Sequence, residues 1–146
     1  MEKTQHKLLT VSAVAGAALA SAKRFVKNAS ALVYCGANGK AIGVLELPVA
    51  SGDWASVITH GIALVEVGSG GITEGAQVTS DASGKAIAIA NVAVASTIGT
   101  GAVAMKGDAE NATVASVVSG GVLPIKVNGV AMDTGAEGEF VRVILK

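Results

Sequence analysis

Aromatic side chains are nearly missing from this chain of 146 residues: one tryptophan, one tyrosine and two phenylalanines amount to 3%. The core must therefore be assembled mostly from small side chains, each of which buries little area. Cysteine is represented by Cys35 alone, which excludes an internal disulfide and a cysteine-rich metal site and leaves it as a small buried apolar side chain. The two histidines, His6 and His60, and singly scattered carboxylates offer no metal-ligand spacing, so neither a metal nor a cofactor is expected. An excess of one charge is missing as well. Eleven basic side chains meet eleven acidic ones without a long single-sign run, and a nucleic-acid partner, which requires a basic stripe, is not expected.

What is present is small and apolar. The chain holds 27 alanines and 19 glycines, and its 51% apolar fraction is assembled mostly from small side chains. At about 25 cal/mol per Å² of buried apolar surface, an alanine-rich strand gains much less than a leucine-rich strand, yet it loses similar backbone entropy. The isolated subunit is expected to be marginal, with stability drawn partly from burying small-residue faces against other subunits.

Two segments imitate targeting signals. Residues 1–23 carry Lys3 and Lys7 ahead of an apolar stretch ending in "ALASA", like a secretory signal, but the expectation is a retained arm, extended or briefly helical. Residues 86–105 are uncharged and long enough to cross a bilayer. Their large apolar residues are only Ile87, Ile89, Ile98 and Met105, diluted by Asn91, Ser96, Thr97 and Thr100, and the alternation in "KAIAIA" has the period of a strand. No membrane partner is expected.

Period and punctuation predict strands over residues 31–35, 40–47, 54–59, 62–67, 76–80, 85–94, 113–118, 122–127, 130–132 and 139–145. A phrase repeats 45 positions apart, "VYCGANGKAIGV" at 33–44 and "VTSDASGKAIAI" at 78–89, and reads both times as strand, turn, strand. Asn-Gly at 38–39 and 128–129 is the strongest two-residue hairpin signal, because both central residues of a type I′ turn need positive φ. "ASGK" at 82–85 and "GSGG" at 68–71 are weaker forms. In "IALVEV" both faces are apolar, which suits a barrel wall covered by a neighbour better than an open sheet. A phase change near Asn91 suggests a bulge, and Pro124 belongs on an edge. The expected architecture is all-β: a small β-barrel or sandwich-like domain of short hairpin-linked strands over residues 25–146, preceded by an N-terminal arm over residues 1–24.

Motifs that could carry chemistry fail in context. Gly99-x-Gly101-x-x-Ala104 matches a dinucleotide fingerprint, but no long amphipathic helix follows and no acidic residue stands near Ser119 for the ribose. A triad of His60 with Asp53 or Asp81 would have to assemble in space, yet "ITHGIA" reads as a kink between two apolar runs and no Gly-x-Ser-x-Gly elbow occurs. Asp81, Asp108, Glu110 and Asp133 fall in or near turns, where such residues shape the backbone. The sequons at Asn28 and Asn111 matter only in a eukaryotic secretory setting. Trp54 opens a strand either as a core plug or as an interface anchor. No catalytic residue is assigned.

The order of phrases is distinctive: "RFVKNAS", then Gly43-Val44 leading to a loop, Gly52-Asp53 opening a strand, the His60-Gly61 kink, Ile72-x-x-Gly75, Ser80-Asp81 leading to Gly84-Lys85-Ala86, and the terminal "GEFVRVILK". This resembles the tailed-bacteriophage capsid cement, or head decoration, family across residues 24–90 and the last nine. The resemblance implies a non-enzymatic, homotrimeric β-barrel-like subunit on the outer surface of the virion's capsid, capping threefold and quasi-threefold junctions of the major capsid protein. His6, Lys7 and Leu8 of the arm, with Arg24 and Trp54, are the expected partner contacts. Two alternatives remain open: a component of another repetitive assembly, such as a phage tail or bacterial surface layer, and a small enzyme or ligand-binding β-barrel.

Overall fold

The computed structural model describes residues 3–89 and 126–146. Its strands are β1 (His6–Val14), β2 (Phe25–Asn28), β3 (Leu32–Tyr34), β4 (Gly43–Leu45), β5 (Trp54–Glu66), β6 (Gln77–Ser80), β7 (Ala86–Ala88), β8 (Gly129–Ala131) and β9 (Phe140–Leu145). All pairings between them are antiparallel, and the nine form one curled sheet. No α-helix occurs among the described residues, so the fold is all-β.

The long strand β5 organises the sheet. Val57 and Ile58 pair with Val11 and Thr10 of β1 on one edge and with Leu45 and Val44 of β4 on the other. Farther along, Ile62 pairs with His6 of β1 and with Ile144 of β9. One edge of β5 is thus covered by β1 from Trp54 to Ile62, while β4 and β9 share the other edge in succession. The sheet forks there, into a β4-β2-β3 branch and a β9-β8-β6-β7 branch.

Gly61 sits at the fork with φ +111°. Before it, Ala55 and Val57 face one apolar cluster and Ile58 the other; after it, Ala63 and Val65 lie in the same cluster as Ile58. Strict alternation would set residues 58 and 63 on opposite faces, so the strand exchanges faces around the glycine. The register with β1 is irregular at the same level, leaving Leu8 outside the pairing between Lys7↔Gly61 and Leu9↔His60. A Cβ at position 61 would overlap the His6 carbonyl oxygen.

The main core lies between the branches. Phe25, Val44 and Ile58 come from the first, and Ala63, Val65, Val78, Val141 and Val143 from the second, together with Cys35. A second cluster, on the other face of the first branch, packs Val26, Leu32, Leu45 and Val57 under Ala15 and Leu19. Leu19 and Val49 exchange backbone hydrogen bonds, which ties this cover to the 46–53 loop.

Several expectations change. Residues 54–59 and 62–67 are one strand rather than two, because positive φ at glycine absorbs the kink without ending the ladder. Residues 6–14, expected in an extended or briefly helical arm, form a strand of the sheet, and β2 was not anticipated. The repeated phrase has two outcomes. Its second copy is a hairpin, β6 against β7, with Gly84 at φ +78°. Its first copy is not: β3 and β4 both form, but β2 lies between them.

The Asn-Gly pairs are not type I′ turns either. Of residues 38 and 39 only Asn38 takes positive φ, and Gly129 lies inside β8, where a Cβ would meet the Ile144 carbonyl oxygen. Buried Asn128 instead accepts from the Ala41 amide at 2.9 Å and donates to the Gly39 carbonyl at 3.0 Å. The two motifs therefore dock on each other and fasten one branch to the other. The predicted strand at 113–118, the Asn91 bulge, Pro124, the glycine fingerprint at 99–104, the second half of the strand at 85–94 and most of the strand at 122–127 lie outside the described residues.

Phe25 is the largest fully buried side chain. Phe25→Ala is expected to cost about 3–5 kcal/mol, because neighbours this small cannot collapse into the space; urea unfolding checks it. Gly61→Ala is expected to cost about 1–3 kcal/mol through strain at positive φ, with hydrogen exchange accelerating selectively in β1.

Candidate functional site

Strand β1 stands out for its exposure. Along its nine residues only Ala13 is even half-buried. Leu8 is 72% exposed, and Leu9, Val11 and Val14 are exposed with it. At the far end of the ladder Val14 pairs with Trp54, itself 71% exposed. Trp54 is therefore no core plug. The alternation in "LTVSAV" is legible as a strand once Thr10 and Ser12 are set against Val11 and Ala13, a signal masked by reading the region for helix propensity.

The five expected contact residues are not one patch. His6, Lys7 and Leu8 open β1, whereas Trp54 lies beside its last residue, roughly 25 Å away at strand rise. His6, Leu8 and Trp54 face solvent. Lys7 forms an ion pair with Glu46, beyond β4, and Glu46 also accepts from the Ser56 hydroxyl at 2.8 Å. Hydrogen bonds from Lys7 and Ser56 hold the Glu46 carboxyl below its ordinary range. Burial lowers the Lys23 ammonium, with Glu46 opposing the shift.

Arg24 is turned inward to the protein's own ion pairs. Its Nε lies 2.8 Å from Glu66 Oε2, Lys85 Nζ lies 2.9 Å from Glu66 Oε1, and the guanidinium sits 5.7 Å from the Tyr34 ring centroid. Burial pushes the Glu66 carboxyl upward, but the hydrogen bonds and charges of Arg24 and Lys85 outweigh it and the net shift is downward. A second pair joins Asp133 to Arg142, with Nη2–Oδ1 at 2.6 Å and Nε–Oδ2 at 2.9 Å, plus the Arg142 amide at 3.0 Å. These bonds hold the Asp133 carboxyl at about 2.

Exposed apolar residues that sequence reasoning did not single out include Leu9, Val11, Leu47, Phe140 and Ile144. Ile144 lies across Ile62 from His6 on the outward face of the C-terminal half of β5.

His60 is exposed, with Nδ1 3.2 Å from the Thr59 hydroxyl. Asp53 is seven positions back along the chain, roughly 24 Å in extended geometry. Asp81 accepts from the Ser83 and Lys85 amides in the β6–β7 turn. The triad partners are thus not brought together. An open concavity lined by Ile72, Thr73, Ala76, Ala88 and Thr134 carries no titratable side chain. Among the described residues no group of three or more His, Cys, Asp or Glu could hold a metal, and no helix is long and apolar enough to cross a membrane.

No protein-family model matches the chain, and no curated protein matches it by sequence. Among solved structures it is similar to the crystal structure of head fiber gp8.5 N base in bacteriophage phi29. The likeness has a TM-score of 0.58 at 18% identity and spans 94% of this chain and 93% of that one. It is a likeness of fold, extending over nearly the whole of both chains.

Because the Asp133 carboxyl is held at about 2 against an ordinary 3.8, its pair contributes stability above pH 3.8 and loses it as pH falls toward 2. Asp133→Asn is expected to lower Tm at pH 7 and to flatten the fall in Tm between pH 4 and pH 2. Thermal melts across that range check it.

Proposed function

We propose that this chain is a non-enzymatic structural protein of a tailed-phage head: a homotrimeric decoration, or cement, protein on the outer capsid surface that reinforces contacts between capsomers of the major capsid protein. The observation that carries the reading is β1, a full-length strand whose apolar side chains stand in solvent on a protein with little bulk in its core. Such a surface is built to be covered. The fold likeness to a head fiber base supports a place on a phage head, and the order of turns that resembles the cement family supports the decorating role.

The physical logic is additive. A subunit of small side chains offers modest contact area, but contacts repeated around a shell, and multivalent within each trimer, are enough to resist outward pressure from packaged DNA. Ion pairs such as Arg24–Glu66–Lys85 and Arg142–Asp133 are satisfied within the subunit, so they add rigidity rather than contact charge.

A second reading has its own support. The structural neighbour is described as a fiber base, so the chain could seat a projecting appendage on the head instead of bridging seams. Purified protein incubated with expanded heads that lack decoration is expected to bind and to raise their rupture temperature. Binding without a rise in rupture temperature favours the fiber-base reading; folded protein that does neither overturns both.

A further inference from the structure

Resting on that reading, we infer that β1 is the contact between copies of this chain, each β1 being wedged between two neighbouring copies in a closed ring. Three features of the strand carry this.

First, its outer edge is open. β1 bonds to β5 on one side, and among the described residues no hydrogen bond reaches the other side from a different element. Soluble proteins usually protect such an edge with charge, proline or brevity. Residues 8–14, "LLTVSAV", contain none of these protections.

Second, both faces are exposed. Val14 shares a face with Trp54, and Val11 lies opposite Val57 on the other face. Leu9 is 50% exposed, Val11 37% and Val14 38%. Pairing β1 with β1 of a single partner would extend the sheet and leave both faces in water. Only a neighbour on each side covers both, and a ring in which each copy gives one surface and receives another does this for every subunit.

Third, the surface suits a second copy of the same chain. Leu8, Leu9, Val11, Val14 and Trp54 expose roughly 500 Å² between them, over half of the ~800 Å² per partner in a standard interface. The hydroxyls of Thr10 and Ser12 and the open backbone edge lie among them and supply hydrogen bonds. The formal net charge is zero, so copies approach without mutual repulsion. Residues 8–14 carry no charge, and the one lysine of β1, Lys7, is already paired with Glu46, so the strand offers little to a charged partner.

The test measures mass in solution. By sedimentation equilibrium at micromolar concentration, the full chain is expected at three times 14.3 kDa. Leu9→Lys with Val11→Lys is expected to reduce that mass threefold with an unchanged β-type circular dichroism spectrum, whereas Leu47→Lys, at an exposed leucine outside β1, leaves it intact. Hydrogen exchange on the unaltered protein gives a reading independent of whether the variants fold: amides of residues 8–14 should be protected in the assembled state and lose protection on dilution. A monomeric or dimeric wild type, a β1 variant that keeps the trimer, or fast-exchanging β1 amides in the trimer each overturn the inference. Head binding is assayed separately. A β1-held trimer that ignores heads overturns the capsid reading and leaves this interface standing, while a trimer indifferent to β1 substitutions does the reverse.

Discussion

Strand β5 is shared by every part of the sheet, and its geometry sets the rest. It carries β1 on one edge and two different strands in succession on the other, so the two branches begin side by side on a single backbone. For both branches to enclose one core, the strand has to present Ile58 and then Ala63 and Val65 to the same side. That requires an exchange of faces within a few residues. A glycine at positive φ with a register irregularity beside it achieves this, and a side chain there would collide with β1.

Given that fork, small side chains suffice. The branches approach closely enough for mostly valine and alanine, with one phenylalanine, one leucine, two isoleucines and Cys35, to fill the space between them. Polar groups at the periphery lock the closure. Asn128 reaches from the start of β8 to the loop around Gly39, and Glu66 at the end of β5 gathers Arg24 from before β2 and Lys85 from before β7. Each fastening joins segments distant in sequence, which gives a thin core a defined closure without adding apolar bulk.

The same economy leaves β1 uncovered. Among the described residues few cover its faces: those that follow it, Ala15 and Leu19, are committed to the second cluster behind β2 and β4. An exposed apolar strand beside a core of small side chains leaves apolar surface in water that the described part of the subunit does not cover. Among the described residues His60 lies against the Thr59 hydroxyl, Asp81 shapes the β6–β7 turn and Asp133 holds Arg142.

Local pattern in the sequence determined the all-β class, most strand positions, the kink at Gly61, the burial of Cys35 and the turn role of Asp81, because alternation, glycine φ and side-chain-to-backbone bonding act over a few residues. Only the tertiary structure decided which strands are neighbours. The repeated phrase at 33–44 and 78–89 has the same local grammar twice, yet β2 separates the strands of the first copy, and nothing within twelve residues records that insertion. The Asn-Gly pairs failed as hairpin signals for the same reason: a long-range hydrogen bond from Asn128 competes with the turn and wins. Exposure of Trp54 and inward commitment of Arg24 were likewise decided by what packs beside them, since burial and ion pairing depend on neighbours that sequence distance does not reveal.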